Sequence, residues 1–342
     1  MFSKSWSFKS ASSALTDKAT NAMFSLIKNL YRYRSINPRI MLHLFDKMVV
    51  PIALYGVEVW GVNFVPVNKK NNDCFDNFHL SKHLTENLQY RFLKVLLGVS
   101  RKTSSRAVTT EFGRFPLAVK AFKLMCKYYL HLSNTSSPIL KAALNHSKVL
   151  AELDVNSWFK IMNGLLDFGE INFQNIDNCD IDTKLKKNFV RKWEPEKEWF
   201  HTEGKLGILS QCKDSFSMSD YLSSDIYPVY KRALAKFRVS AHKLPIEVER
   251  YAKTPKDKRL CILGCNEIGD EQHYLFECGH PGISEIYVPV ISKLNSQSDE
   301  FNRLTNNQEK LVYMISSKDT DLLQLVGKLC HKVLDRFNEI TW

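Results

Sequence analysis

Four residues near the C-terminal end constrain this chain more than any others: Cys261, Cys265, His273 and Cys278, spaced C-x3-C-x7-H-x4-C. Three soft thiolates and one imidazole in so short a window suit a tetrahedral ion, and Zn2+ is the cofactor they predict. Such a set fills all four positions, so the site it predicts is structural and closed to substrate. Gly264, directly before the second cysteine, predicts a backbone turn that lets two sulfurs face one ion. The competing reading is a few buried, reduced cysteines beside a hydrogen-bonded histidine. His280, two residues past Cys278, is an alternative ligand that spacing does not exclude.

A strongly basic stretch precedes this window. Between Pro228 and Leu260 there are ten Lys or Arg and only three acids, with Tyr230, Phe237 and Tyr251 interleaved. The candidates for phosphate contact are Lys231, Arg232, Lys236, Arg238, Lys243, Lys256, Lys258 and Arg259. A cationic segment joined to an ion-held loop can grip a phosphate backbone. The plainer alternative is a solvated helix face.

The rest of the composition agrees with a folded, basic, reduced protein. The chain has 342 residues and a formal charge of +12, and 44% of its residues are hydrophobic. That apolar share supports packed cores and excludes a disordered chain. The charge favours an acidic polymer as partner, RNA or DNA before a membrane. Beyond the three clustered cysteines, Cys74, Cys126, Cys179, Cys212 and Cys330 are scattered singly, which fits a reducing compartment, the nucleus or the cytoplasm, and not a disulfide framework. The longest uncharged candidate span, Met48 to Val57, is too short to cross a bilayer. The N-terminus has no acid before Asp17 and has the composition of a transit peptide, although an amphipathic surface helix reads the same way.

Apolar periodicity predicts a mainly α fold. Leu15, Ala19, Met23, Leu26 and Leu30 give a helix over 13–36. A second starts near Pro38, and Pro51 predicts a kink or break in it. Residues 65–80 are polar and form the first boundary. Helices follow over 84–97, 117–132, 139–152 and 155–166, and two or three more close the chain after Ile283. The expected organisation is helices over 1–64, a helical linker over 65–227, the basic segment and ion motif over 228–282, and closing helices over 283–342.

Three stretches carry a family resemblance: PIALYGVEVWG at 51–61, GVSRKTSSRAVTTEFGRFPL at 98–117, and the basic segment with its C-x3-C-x7-H-x4-C spacing. They resemble the C-terminal part of the reverse transcriptases of LINE-type (non-LTR) retrotransposons. The first is similar to that family's thumb, the second to its "LGV…E-L-G-R-x-P-L" segment with Phe112 in place of the usual leucine, and the third to its C-terminal cysteine motif. The resemblance implies a helical thumb and linker followed by a small zinc-knuckle-like motif of three cysteines and one histidine. It implies that the last region contacts the element's RNA or target DNA, and that Lys28, Arg32 and Arg34 lie on the thumb's duplex-facing side. It also implies that fingers, palm and endonuclease would lie before residue 1.

No catalytic residue is assigned. Two-metal nucleotide addition needs converging carboxylates, and no Asp-Asp pair occurs in the chain. The Asp-x-Asp spots at 180/182 and 319/321 lack the aromatic hairpin that such chemistry uses. There is no phosphate-binding glycine loop and no sign of a small-molecule substrate. The expectation is a non-catalytic nucleic-acid binder. The alternatives are an enzyme completed in trans, and a transposon remnant acting through ion-stabilised protein contacts.

Overall fold

The computed structural model describes residues 8–30, 37–64, 83–155, 157–172, 180–202 and 206–341. Within them the chain is mainly helical, as its periodicity predicts, and contains no β-strand. Arg32, Arg34, Cys74, Cys179 and the polar boundary at 65–80 lie outside the described residues. No described helix is long and apolar enough to cross a membrane. The chain forms two compact units, Met1–Phe92 with Phe115–Pro195 and Leu93–Arg114 with Glu196–Trp342, so neither unit is one continuous stretch.

In the first unit, helix Lys9–Leu30 buries Ala19, Met23, Leu26 and Ile27, the face that the spacing predicts, and leaves Lys18 and Lys28 exposed. The helix begins earlier than expected because Ser12 is buried and donates to the Lys9 carbonyl at 3.0 Å, which ties the Ser-rich turn in. Asn37 caps the next helix, accepting from the Arg39 amide at 2.8 Å, and Pro38 fills the first turn, where its missing N–H costs nothing. Pro51 acts as predicted. It cannot donate to the turn before it and its ring crowds that turn. The chain responds with a wide π-helical turn over Phe45–Val49, in which the Val50 amide reaches back to the Phe45 carbonyl. Phe45 then stacks on Phe92 at 4.3 Å between ring centroids. Helix Leu117–Asn134 starts after Pro116 with no cap from that residue. The buried Glu86 carboxylate supplies one instead, accepting from the Ala118 amide at 2.7 Å, where the helix dipole favours a negative charge.

In the second unit, helix Thr320–Thr341 is the spine. Leu323, Val326, Leu329, Cys330, Val333 and Phe337 recur at helical spacing and are all buried. Each fully buried Leu, Val or Phe contributes about 1.5–3 kcal/mol, well above the ~0–1 kcal/mol of a surface ion pair. Apolar burial therefore holds this unit. Helices Pro228–Arg238 and Pro281–Gln297 pack against the spine. Gly327 permits the first of these contacts, because a Cβ there would stand 2.7 Å from the Tyr230 Cβ.

Candidate metal centre and the basic segment before it

The four residues that the spacing singled out converge within the second unit. Their ligand atoms all lie within 4.8 Å of one another, so the group can hold a metal ion. Local backbone structure accounts for the convergence. Leu260 and Ile268 form a single antiparallel bridge, and the Cys261 amide donates to the Glu267 carbonyl at 2.7 Å, closing the loop that carries the first two cysteines. Gly264 turns that loop with a φ of +92°, a conformation that side chains with a Cβ avoid. On the other side, the Asp270 carboxylate accepts from the His273 amide at 2.9 Å and starts a wide turn over His273–Glu277. The Cys278 amide closes this turn on the His273 carbonyl at 2.7 Å, which brings the fourth ligand back to the first three.

The group fits an ion on two counts. The Cys265 and Cys278 sulfurs are 3.7 Å apart, and both residues are reduced. Sulfur bonds of about 2.3 Å around a tetrahedral ion place two sulfurs about 3.8 Å apart. His273 is buried, yet neither of its ring nitrogens has a hydrogen-bond partner. An imidazole without a partner in a protein interior carries a desolvation cost that an ion would remove. Burial lowers the His273 pKa and so favours the neutral ring, the form that binds metals. Burial pushes the Cys278 thiol up to about 12, a preference that a dication reverses by favouring the thiolate.

Surrounding residues hold the ligands in place. The Tyr274 hydroxyl lies 3.2 Å from the Cys261 sulfur, and the Tyr287 hydroxyl donates to the Cys278 carbonyl at 3.3 Å. Tyr274 in turn packs edge-on against Phe337 of the spine helix. His280 does not join the group. Its Nδ1 accepts from the Gly282 amide at 3.2 Å and caps helix Pro281–Gln297.

The basic candidates occupy different environments. Arg232, Lys243, Lys256, Lys258 and Lys28 are exposed, and Lys231, Lys236 and Arg259 are half-buried. Arg232 and Lys236 stand one turn apart on helix Pro228–Arg238. Lys231 donates to the Leu222 carbonyl at 3.3 Å. Arg259 is a structural residue in part, donating to the carbonyls of Thr254 at 2.8 Å and Ile246 at 3.0 Å.

Arg238 differs from its sequence reading, which placed it at the surface. It is 2% exposed and donates to the Glu111 carboxylate at 2.9 Å and to the Ile315 carbonyl at 2.9 Å. Burial lowers its pKa, but the Glu111 charge, the nearby Cys212 and Tyr221 and the hydrogen bond to Glu111 together outweigh this and raise it. The residues Ala233, Leu234 and Phe237 around it are buried, and Arg238 continues their i, i+4 pattern. That pattern was the available sign that its side chain points inward.

No protein-family description, curated protein or solved structure matches this chain. The fold and the site therefore define it: a mainly helical protein whose second unit brings three cysteines and a histidine together around a point that can hold a metal ion.

Proposed function

We propose that this chain is a non-catalytic nucleic-acid-binding protein, equivalent to the thumb, linker and C-terminal motif of a LINE-type retrotransposon reverse transcriptase, and that it works in the nucleus or cytoplasm. The observation that carries the reading is the convergence of Cys261, Cys265, His273 and Cys278 directly after the basic segment. Zn2+ is the ion proposed, since three thiolates and an imidazole suit it and close its coordination. The ion's role is to fix the loop between Cys261 and Cys278. In the second unit the binding surface is drawn from Lys231, Arg232, Lys236, Lys243, Lys256, Lys258 and Arg259, without the buried Arg238; in the first unit Lys28 is a separate phosphate contact. Binding of this kind is dominated by phosphate contacts, is weakly sequence-specific and falls steeply with salt.

The test combines elemental analysis with titration of fluorescent RNA and DNA oligonucleotides at several salt concentrations. The reading expects one zinc per chain and affinity that drops linearly in log–log form as salt rises. Affinity indifferent to salt, or absent from zinc-loaded protein, would end it.

One observation favours a second reading, a transposon remnant that acts through protein contacts. Val248, Tyr251, Leu260 and Ile262, on and around the ion-bearing loop, are exposed apolar or aromatic side chains. A partner protein bound in high salt, with no polynucleotide bound at any salt, would select it.

A further inference from the structure

The second unit contains a polar cavity of about 320 Å³ that the nucleic-acid reading does not use. Its volume lies at the small end of the ~300–1,000 Å³ typical of small-ligand sites. Asp214, Ser215 and Lys318 are exposed and stand at its mouth, and the buried Lys213, Arg238 and Tyr221 line its interior.

Lys213 is the unusual member. It is only 4% exposed, and its ammonium donates to two neutral acceptors, the Ser217 carbonyl and the Ser219 hydroxyl. Among the described residues no carboxylate lies within ion-pair distance of it, and the Glu111, Asp220 and Asp214 charges act on it only from farther off. A buried cation is ordinarily paired with an anion. Two acceptors also leave one of its three N–H groups over. Further donors meet it there. The named partners of Arg238 take three of its five N–H groups. The Tyr221 hydroxyl is buried and lies near Glu111 without completing a hydrogen bond, and that neighbouring charge, added to burial, keeps its proton in place.

We propose that this cavity binds a small oxyanion of the phosphate-monoester class, with Lys213 supplying the counter-charge and Arg238 and Tyr221 the remaining donors. Asp214 and Asp220 also line it. Both are exposed, so water screens them from a buried anion. Their charge at the mouth opposes a polyanion more than a single phosphate, which makes a small phosphomonoester the expected ligand and not a nucleic-acid backbone.

The test follows the melting temperature of the metal-loaded full chain as inorganic phosphate replaces chloride at constant ionic strength. A saturable rise is expected. Lys213→Met should lose that rise, while melting at or above the parent temperature without phosphate because it no longer buries an ammonium. Lys318→Ala, at the exposed rim, should fold normally and half-saturate at several-fold higher phosphate. A parent response identical to chloride, or an unchanged response in Lys213→Met and Lys318→Ala, would overturn the proposal. Displacement of phosphate by ribose 5-phosphate would support a small metabolite as the source, and displacement only by a 5′-phosphorylated oligonucleotide a polynucleotide end. Binding of unphosphorylated RNA should be the same in Lys213→Met and the parent, so failure here stays separate from failure of the nucleic-acid reading.

Discussion

Two polar groups are buried in the same unit, and they are solved differently. Arg238 and Glu111 neutralise each other's charge, with guanidinium on one carboxylate oxygen at 2.9 Å and a backbone carbonyl taking a further donor, although the second Glu111 oxygen has no hydrogen-bond partner. The cluster around His273 does not close on itself, since both ring nitrogens lack partners. A buried polar group satisfied by its own protein serves the fold. One left unsatisfied marks a place for something the polypeptide does not supply. Lys213 falls between the two: it donates to neutral acceptors, and among the described residues the Glu111, Asp220 and Asp214 charges act on it only from beyond ion-pair distance.

The largest effect should come from the unsatisfied cluster. Cys278→Ser, or a strong chelator, should remove the bound metal and unfold the loop around it, because ion binding and folding are one event in sites of this size. Metal content per chain together with proteolysis between Lys253 and Gly279 checks this. Retained metal and an unchanged melting curve would place the ion elsewhere. The charge-paired residues should respond next. Glu111→Ala leaves a buried guanidinium unpaired and should cost about 3–5 kcal/mol by urea unfolding, with metal content unchanged. Replacing both partners, Glu111→Leu with Arg238→Met, should recover most of that loss, since two apolar side chains can fill the place of a buried ion pair. If the double variant is no more stable than the single one, the pair matters for more than its charge balance.

Lys213 should give a smaller, pH-dependent effect. Burial holds its pKa down at about 8. Below that value the folded state bears the cost of a buried ammonium. Between about 8 and the ordinary lysine value of about 10.4 the unfolded chain still binds the proton that the folded chain has released, so stability rises with pH. Urea midpoints measured across that window should climb in the parent and stay flatter in Lys213→Met. The smallest effect on stability is expected from Lys256→Ala with Lys258→Ala, two exposed positions. Neither should change folding measurably, but together they should weaken RNA binding and reduce its salt slope by about 2.

What the sequence revealed depended on distance along the chain. The four ligands were legible because a short loop and a short turn bring them together, and spacing alone carries that information. The helices were legible from their apolar period, and Pro51 from the amide it lacks. The environment of Arg238 was not, because its counter-charge comes from a residue 127 positions away. Counted in a run of cations it looked like its neighbours, although Ala233, Leu234 and Phe237 beside it already traced the inward face of the helix. Lys213 lies in a Ser-rich loop with no periodicity, so only the tertiary fold shows that it is buried. The charge of the segment could be read directly, whereas which charges reach solvent depended on packing.

The second unit draws its short stretch Leu93–Arg114 from far upstream of the rest. A fragment beginning at Glu196 would keep every ion ligand and every surface lysine of the basic segment, yet would lose Glu111 and fold around a stranded guanidinium. The region that carries the three cysteines and the histidine is therefore poorly suited to inheritance as a detachable cassette: a recombination event that moved it to another gene would have to carry the distant acid along or replace the arginine it neutralises.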